Sequence, residues 1–465
     1  MHTTHITPLE FDSELVSRHD GHGPRYTSYP TADRFAPHPV TDAYVAAIKA
    51  RNAGASASPL SLYVHIPFCD TVCYYCACNK IATRHKSRAD DYLDDLEREI
   101  AMIRRLFADK PVVSQLHFGG GTPTFLTNDQ MCRLLDMLHD AFDFASDAEC
   151  SIEIDPRRLQ EGALALLREY GFNRMSIGVQ DVDERVQKAI NRIQPTEVTH
   201  GVLEQARELG FRSINMDLIY GLPYQDTVTM ARTLETVVNW RPDRIALYSY
   251  AHLPERFMPQ RRIDTQKMPG PKEKLAMLKL AVTTLLDAGY VYIGMDHFAL
   301  PDDELAQALD QGTLQRNFQG YSTRADCDLI ALGVSAISRV GHVYAQNART
   351  VEEYAQSLDR GELPLIRGLV MNRDDEVRRD AIHSLLCQSE LDLQAMSHRW
   401  EIDAGAYFAT EIESLADLER DGLVTVSDEL IQVTPKGRFL ARVVAMRFDK
   451  YLRAGTPMVR YSKVI

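Results

Sequence analysis

The chain has 465 residues, 45% of them hydrophobic and 25% charged, with a net charge of −13. That length exceeds what one compact core usually serves, so a large catalytic domain with smaller appendages is expected. The acidic balance argues against general affinity for nucleic acid or anionic membrane, and no apolar run approaches the roughly 20 residues of a membrane span. Met1 to about Ala32 lacks periodicity and ends in Gly23-Pro-Arg-Tyr-Thr-Ser-Tyr-Pro30, which reads as an extended, proline-punctuated arm. Met1 to Gly23 has neither the apolar core nor the cleavage signature of a signal peptide. From Leu62 to about Tyr250, β-rich runs alternate with helix-period segments. The runs are Leu62 to Pro67, Val112 to Phe118, Cys150 to Ile154, Arg174 to Val179, Ser213 to Ile219 and Arg244 to Tyr250. Between the first two, Tyr92, Leu93, Leu96, Ile100, Ile103 and Phe107 recur at helical steps, and Met131, Leu134, Leu135, Leu138 and Phe142 do so next. Such alternation predicts an α/β fold, a parallel sheet with right-handed crossovers that closes as a full or partial (β/α)6 barrel. Tyr290 to Met295 reads as a further strand. Beyond about Tyr354 helical patterns dominate, and Gly422 to Pro435 gives two strand-like runs about a turn before the helical Gly437 to Leu452. That tail is winged-helix-like; its acids, mixed with the bases, favour a lid or docking module over DNA binding. The expected division is an arm and lead-in over 1–54, a barrel with extension over 55–350 and a mainly helical C-terminal domain over 351–465.

Half of the eight cysteines, Cys69, Cys73, Cys76 and Cys78, fall in one short run directly after the first strand. Thiolates crowded like this suit a soft metal centre on a tight loop better than disulfides. The spacing leaves a choice of ligands. A structural zinc site usually needs a second, distant pair such as C-x2-C, and none is visible. Cys132, Cys150, Cys327 and Cys387 are isolated in apolar-patterned segments, as buried free thiols are, so a reducing cytoplasm is expected.

Each remaining candidate lies at or just after the carboxyl end of a strand, the face where β/α barrels build their sites. Strand two ends in His117-Phe-Gly-Gly-Gly-Thr-Pro-Thr124, whose glycines let backbone N–H groups approach a carboxylate. On strand three, Glu153 alternates with Ile152 and Ile154, so it should point inward, where an acid needs a ligand or partner. Strand four runs into Gln180 and, after a helix start, Arg192. Strand five carries Asp217 into Tyr220-Gly-Leu-Pro223, and strand six ends at Tyr250-Ala-His252.

The first three cysteines, spaced C-x3-C-x2-C, resemble the cluster loop of radical S-adenosylmethionine (SAM) enzymes. Over nearly its whole length, from Pro24 to Ser462-Lys-Val-Ile465, the chain resembles the oxygen-independent coproporphyrinogen III oxidases of bacteria, radical SAM enzymes of haem biosynthesis. The resembling segments include Tyr63-Val-His-Ile-Pro-Phe-Cys69, Gly119-Gly-Gly-Thr-Pro-Thr124, Glu153-Ile-Asp-Pro156, Asp217-Leu-Ile-Tyr-Gly-Leu-Pro223, Asn317-Phe-Gln-Gly-Tyr321 and Gly333-Val-Ser-Ala-Ile337. Related haem chaperones share the barrel but typically lack a cysteine at the place of Cys78; a haem-binding chaperone is the rival reading. The resemblance implies oxidative decarboxylation of coproporphyrinogen III to protoporphyrinogen IX by a 5′-deoxyadenosyl radical. It implies a [4Fe-4S] cluster on Cys69, Cys73 and Cys76, with Cys78 not a ligand, and two SAM molecules. Tyr63, Gly120, Glu153 and Ile337 match contacts of the cluster-bound SAM. Tyr75, Gly121, Thr122, Gln180, Arg192, Asp217 and Ala251 match contacts of the second. A flavodoxin-type electron donor and a monomeric, cytoplasmic protein complete the expectation.

Overall fold

The computed structural model describes residues 9–53, 58–318, 320–324, 327–453, 461 and 463. Residues 1–8 of the arm, Gln319 of the Asn317 segment, and Ser462, Val464 and Ile465 of the terminal motif lie outside the described residues. The chain packs as two compact units, neither continuous in sequence: Phe35–Pro269 with Asp326–Val370, and Met1–Arg34 with Gly270–Ala325 and Met371–Ile465. Both borders read from sequence, at 54/55 and 350/351, fall inside the first of these.

All six predicted strands form in that unit: β1 Leu60–Ile66, β2 Val112–Gly120, β3 Asp143–Ile154, β4 Arg174–Gln180, β5 Ser213–Tyr220 and β6 Arg244–Ser249. They pair in parallel in sequence order, and β1 and β6 are not neighbours, so the barrel is partial. Leu62, Val64 and Ile66 are fully buried, and in the helix Arg88–Arg104 the residues Tyr92, Leu93, Leu96, Ile100 and Ile103 are the buried face that periodicity predicts. Strand β3 starts earlier than the sequence suggests, because Asp143–Asp147 is largely exposed and shows no alternation to read. Register aligns polar residues of adjacent strands: Tyr63 lies opposite His117, His117 opposite Ser151, Glu153 opposite Ser176, and Gly178 opposite Asp217.

On the other flank of β1 the sheet continues with β7 (Asp328–Leu332), parallel to it, then antiparallel β8 (Ile337–Val340), β9 (Val343–Asn347) and β10 (Leu365–Val370). The β7–β8 turn is clasped from the helix side. Glu99, 2% exposed, accepts from the Gly333 N–H at 2.7 Å, Asn347 Nδ2 at 2.7 Å and the Tyr354 hydroxyl at 2.5 Å. Tyr92 donates to the His65 carbonyl at 2.7 Å and accepts from the Val334 N–H at 3.0 Å, joining the end of β1 to this turn.

The second unit buries Tyr26 and Tyr29 of the arm in one core with Ile382, Leu385, Phe408, Ile431, Val444 and Phe448. The Tyr26 hydroxyl donates to Asp449 Oδ2 at 3.0 Å. Helices dominate, with a small antiparallel sheet of Glu390–Asp392, Leu430–Val433 and Val424–Val426, the arrangement expected of a winged-helix-like tail. The Tyr290 run forms a hairpin, Val291–Gly294 with His297–Ala299.

Replacing Glu99 with Ala removes the acceptor of the Gly333 N–H and the Tyr354 hydroxyl, while Asn347 Nδ2 keeps the Gly333 carbonyl at 2.8 Å, and each orphaned group costs about 1–3 kcal/mol. Glu99→Ala is therefore expected to lower the stability of the metal-free chain by about 3 kcal/mol or more in a denaturant titration, and Glu99→Gln by less.

Candidate active site

The cysteine loop is held closed at its base. Phe68–Cys69 pairs in parallel with Ile81–Ala82, the Ile81 N–H donates to the Pro67 carbonyl at 2.7 Å, and the Thr83 N–H donates to the Cys69 carbonyl at 2.9 Å. Its outer part is tied to the segment after β4: the Tyr74 N–H donates to the Ile190 carbonyl at 2.9 Å, and Asn191 Nδ2 donates to the Val72 carbonyl at 2.8 Å. The loop thus lies across the carboxyl ends of the strands.

Beneath it is a cavity of about 300 Å³, lined by Cys69, Cys73, Cys76 and Cys78, by the turn Gly120-Gly-Thr122, and by Glu153, Asp155, Arg157, Gln180, Arg192 and Asp217. Tyr75 also lines it. Among the described residues no three His, Cys, Asp or Glu side chains converge on a single ion, so the thiols border a space rather than meet at a point. Sequence reasoning placed Tyr63, Ile337 and Ala251 here too, and these do not line the cavity. Tyr63 stacks on His117 at 5.9 Å and bonds His65 Nδ1 at 3.1 Å, Ile337 opens β8, and the Ala251 carbonyl accepts from Gln260 Nε2 at 3.2 Å.

Each thiol has its own electrostatic setting. Burial pushes Cys69 up to about 12, with Thr122 Oγ1, 3.4 Å from its sulfur, opposing the rise. A hydrogen bond with the Cys78 thiol, aided by Lys80, holds Cys76 down at about 6. Arg157 Nη2 and Arg192 Nη1 both donate to Cys73 Sγ at 3.7 Å. Asp155 sits between these cations, 2.6 Å from Arg157 and 3.5 Å from Arg192. Burial disfavours its charge, yet the two guanidiniums hold it at about 2. Asp217 accepts from Ser176 and Asn215, both at 2.9 Å, and burial raises it to about 6. Glu153 meets the Gly120 N–H at 3.3 Å, and His117 Nε2 lies 3.7 Å away.

Asp155, Arg157, Ser176 and Lys80 were missed from sequence. Asp155-Pro-Arg157 directly follows the end of β3, so the strand-end rule that picked Glu153 applies equally to them.

Residues 63–236 match the radical SAM superfamily, and residues 371–440 match the HemN C-terminal domain. The chain is 49% identical to the oxygen-independent coproporphyrinogen III oxidase of Pseudomonas aeruginosa over 99% of this chain and 100% of that protein. The chain belongs to the oxygen-independent coproporphyrinogen III oxidase family. The Escherichia coli member is 48% identical over 99% of this chain and 100% of its own. A solved structure of coproporphyrinogen III oxidase (HemN) from Escherichia coli, described as a radical SAM enzyme, superposes with a TM-score of 0.91 at 47% identity, over 96% of this chain and 100% of that one. Membership makes the chain a radical SAM oxidoreductase, and the haem-chaperone alternative finds no support in relatives named as oxidases. No helix among the described residues is long and apolar enough to cross a membrane.

This family implies a [4Fe-4S] cluster and SAM, and the residues present fit both. Arg192 is 6% exposed, and its buried Nε has no hydrogen-bond partner. With Arg157 and Lys80 it supplies the positive charge that a cluster of thiolates and a carboxylate ligand require. Gly121 is required by sterics: a Cβ there would lie 2.8 Å from the backbone of Pro67 and Phe68. Gly121→Ala should force the glycine turn and the cysteine loop apart, costing about 1–3 kcal/mol. A denaturant titration that shows no loss would contradict the close approach.

Proposed function

We propose that the chain carries out oxygen-independent oxidative decarboxylation of two propionate side chains of coproporphyrinogen III, giving the vinyl groups of protoporphyrinogen IX. The observation that carries this reading is the single cavity that gathers the thiol loop, the glycine turn and the strand-end carboxylates and guanidiniums. The chain's identity of 49% over its full length to an oxidase of that name supports it.

Cys69, Cys73 and Cys76 would hold the cluster, leaving one iron open. The cluster and SAM, when bound, supply a 5′-deoxyadenosyl radical that takes a hydrogen atom from the propionate β-carbon; loss of CO2 and one further electron completes the vinyl group. The chain's own residues bind, orient and exclude water. Glu153 and the Gly120 N–H present an acceptor and a donor to the amine and carboxylate of the first SAM, with Tyr63 and Ile337 as its further contacts. Tyr75, Gly121, Thr122, Gln180, Arg192, Asp217 and Ala251 hold a second. Arg192 is the natural partner for a carboxylate there, since its Nε is buried and unpaired. Two molecules would serve two decarboxylations.

The direct test is anaerobic incubation of reconstituted protein with coproporphyrinogen III, SAM and a reductant. Formation of protoporphyrinogen IX is expected; tight haem binding without turnover would overturn the reading. Cys73→Ser should lose most of the cluster's visible absorption, whereas Cys78→Ser should keep it. Full iron and sulfide in Cys73→Ser would refute the ligand set. Arg192→Ala removes one partner of a buried charged contact, typically worth about 2–5 kcal/mol. It should bind one SAM per cluster rather than two and accumulate a monovinyl product.

A further inference from the structure

Arg185, Arg256, Arg261, Arg262 and Lys267 are exposed, and among the described residues none has a carboxylate partner. Some surface arginines elsewhere are paired, Arg133 with Asp94 and Glu97, Arg207 with Glu204 and Arg360 with Glu362. In a chain with 65 acids against 52 lysines and arginines, an uncompensated group of cations reverses the sign of the surface locally.

The segment that carries Arg256, Arg261 and Arg262 is fastened to the cysteine loop. The Arg262 guanidinium lies 5.4 Å from the ring centre of Tyr74, the residue after Cys73. Gln260, 1% exposed, donates to the Tyr75 carbonyl at 2.9 Å and accepts from the Leu253 N–H at 2.6 Å, which fastens the segment 253–262 to the loop. Arg185 stands 4.0 Å over the ring of Tyr224, whose N–H donates to the Lys267 carbonyl at 2.8 Å. Tyr74, Tyr75 and Tyr224 pack on one shared apolar cluster. Within the basic segment, Met258 is 70% exposed, the largest exposure of any large hydrophobic side chain among the described residues. Ile193, 57% exposed, follows Asn191, which bonds the Val72 carbonyl on the same loop.

A flexible, polarizable methionine flanked along the chain by Arg256, Arg261 and Arg262 has the make-up of a protein-docking surface: an apolar centre with a charged rim that steers encounter. Glu255 and Asp264 interleave with the cations, which suits the patterned surface of a protein better than the uniform charge of a phosphate backbone. We propose that the surface formed by Arg185, Arg256, Arg261, Arg262 and Lys267 around Met258 docks a small acidic protein that carries single electrons, and that it delivers them to the cluster across the Tyr74 side of the loop. This rests on the cluster reading above. One electron leaves the donor's flavin or iron–sulfur centre and arrives on the cluster; no bond forms or breaks.

Reduced flavodoxin, an acidic flavoprotein, serves as the probe, mixed anaerobically with reconstituted full-length protein in a stopped-flow instrument at several ionic strengths. For the unaltered chain the transfer rate should fall steeply as salt rises. A chain carrying Arg256→Glu and Arg261→Glu should be slower by about tenfold or more at low salt and lose most of that salt dependence. Dithionite, which needs no docking, should reduce both chains equally, and this also shows that the altered chain is folded and loaded. Met258→Asp, which spares every cation, should slow transfer at all ionic strengths. Unchanged flavodoxin kinetics in both altered chains would overturn the inference. So would unchanged kinetics together with tight binding of single-stranded RNA, which would give the patch to nucleic acid. Bound iron that dithionite cannot reduce in the unaltered chain would instead sink the cluster reading itself.

Discussion

The charge balance of the thiol site rests on two guanidiniums behind Cys73. Arg157 and Arg192 share Asp155 and both reach the Cys73 sulfur at 3.7 Å. A guanidinium cannot shed its proton at any relevant pH, so burying two of them requires negative charge nearby. Asp155 supplies one such charge for two cations. Thiolate ligands of a bound cluster would supply the remainder. Burial raises the Cys69 thiol, so nearby cations make an anionic centre tolerable at this depth. The site therefore has its charge arranged for a cluster by side chains that do not ligate it.

The same logic separates what could be read from sequence from what could not. The six strands were legible because each is a short apolar run bounded by turn residues, and their order follows from the crossover rule. Glu153, Gln180, Arg192 and Asp217 were legible because polar residues at strand ends project over the sheet. Arg157 was not singled out, although it lies three residues past the end of β3. An arginine after Asp-Pro reads as an ordinary solvated turn residue until the fold removes the water. The clasp of Glu99 on Gly333 was invisible for a different reason: helix periodicity marks position 99 as one of many charged residues, and only the return of β7 to the flank of β1 buries it. Ile337, named from resemblance, opens the antiparallel strand that leaves that turn, and Glu99, which clasps the turn, lies more than two hundred positions earlier in the chain.

The arm offers a second instance. It carries no apolar periodicity, yet Tyr26 and Tyr29 are among the most deeply buried large side chains described. Two aromatic residues on an extended, proline-bounded segment can fill a core without a repeating pattern, because each buries as much surface as several smaller side chains. Their partners, Ile382, Leu385, Phe408 and Phe448, come from the far end of the chain. This is why units defined by packing are discontinuous, while borders drawn along the sequence are not.

Charge balance around Cys73 is the central claim, and the reduction potential of the reconstituted cluster tests it most directly. Adding an electron makes the cluster more negative, so loss of a neighbouring cation disfavours the reduced form. With cluster content matched by iron analysis, Arg157→Gln should have a midpoint potential more negative than that of the unaltered chain. An unchanged or more positive potential would show that Arg157 does not balance the charge of the thiol site.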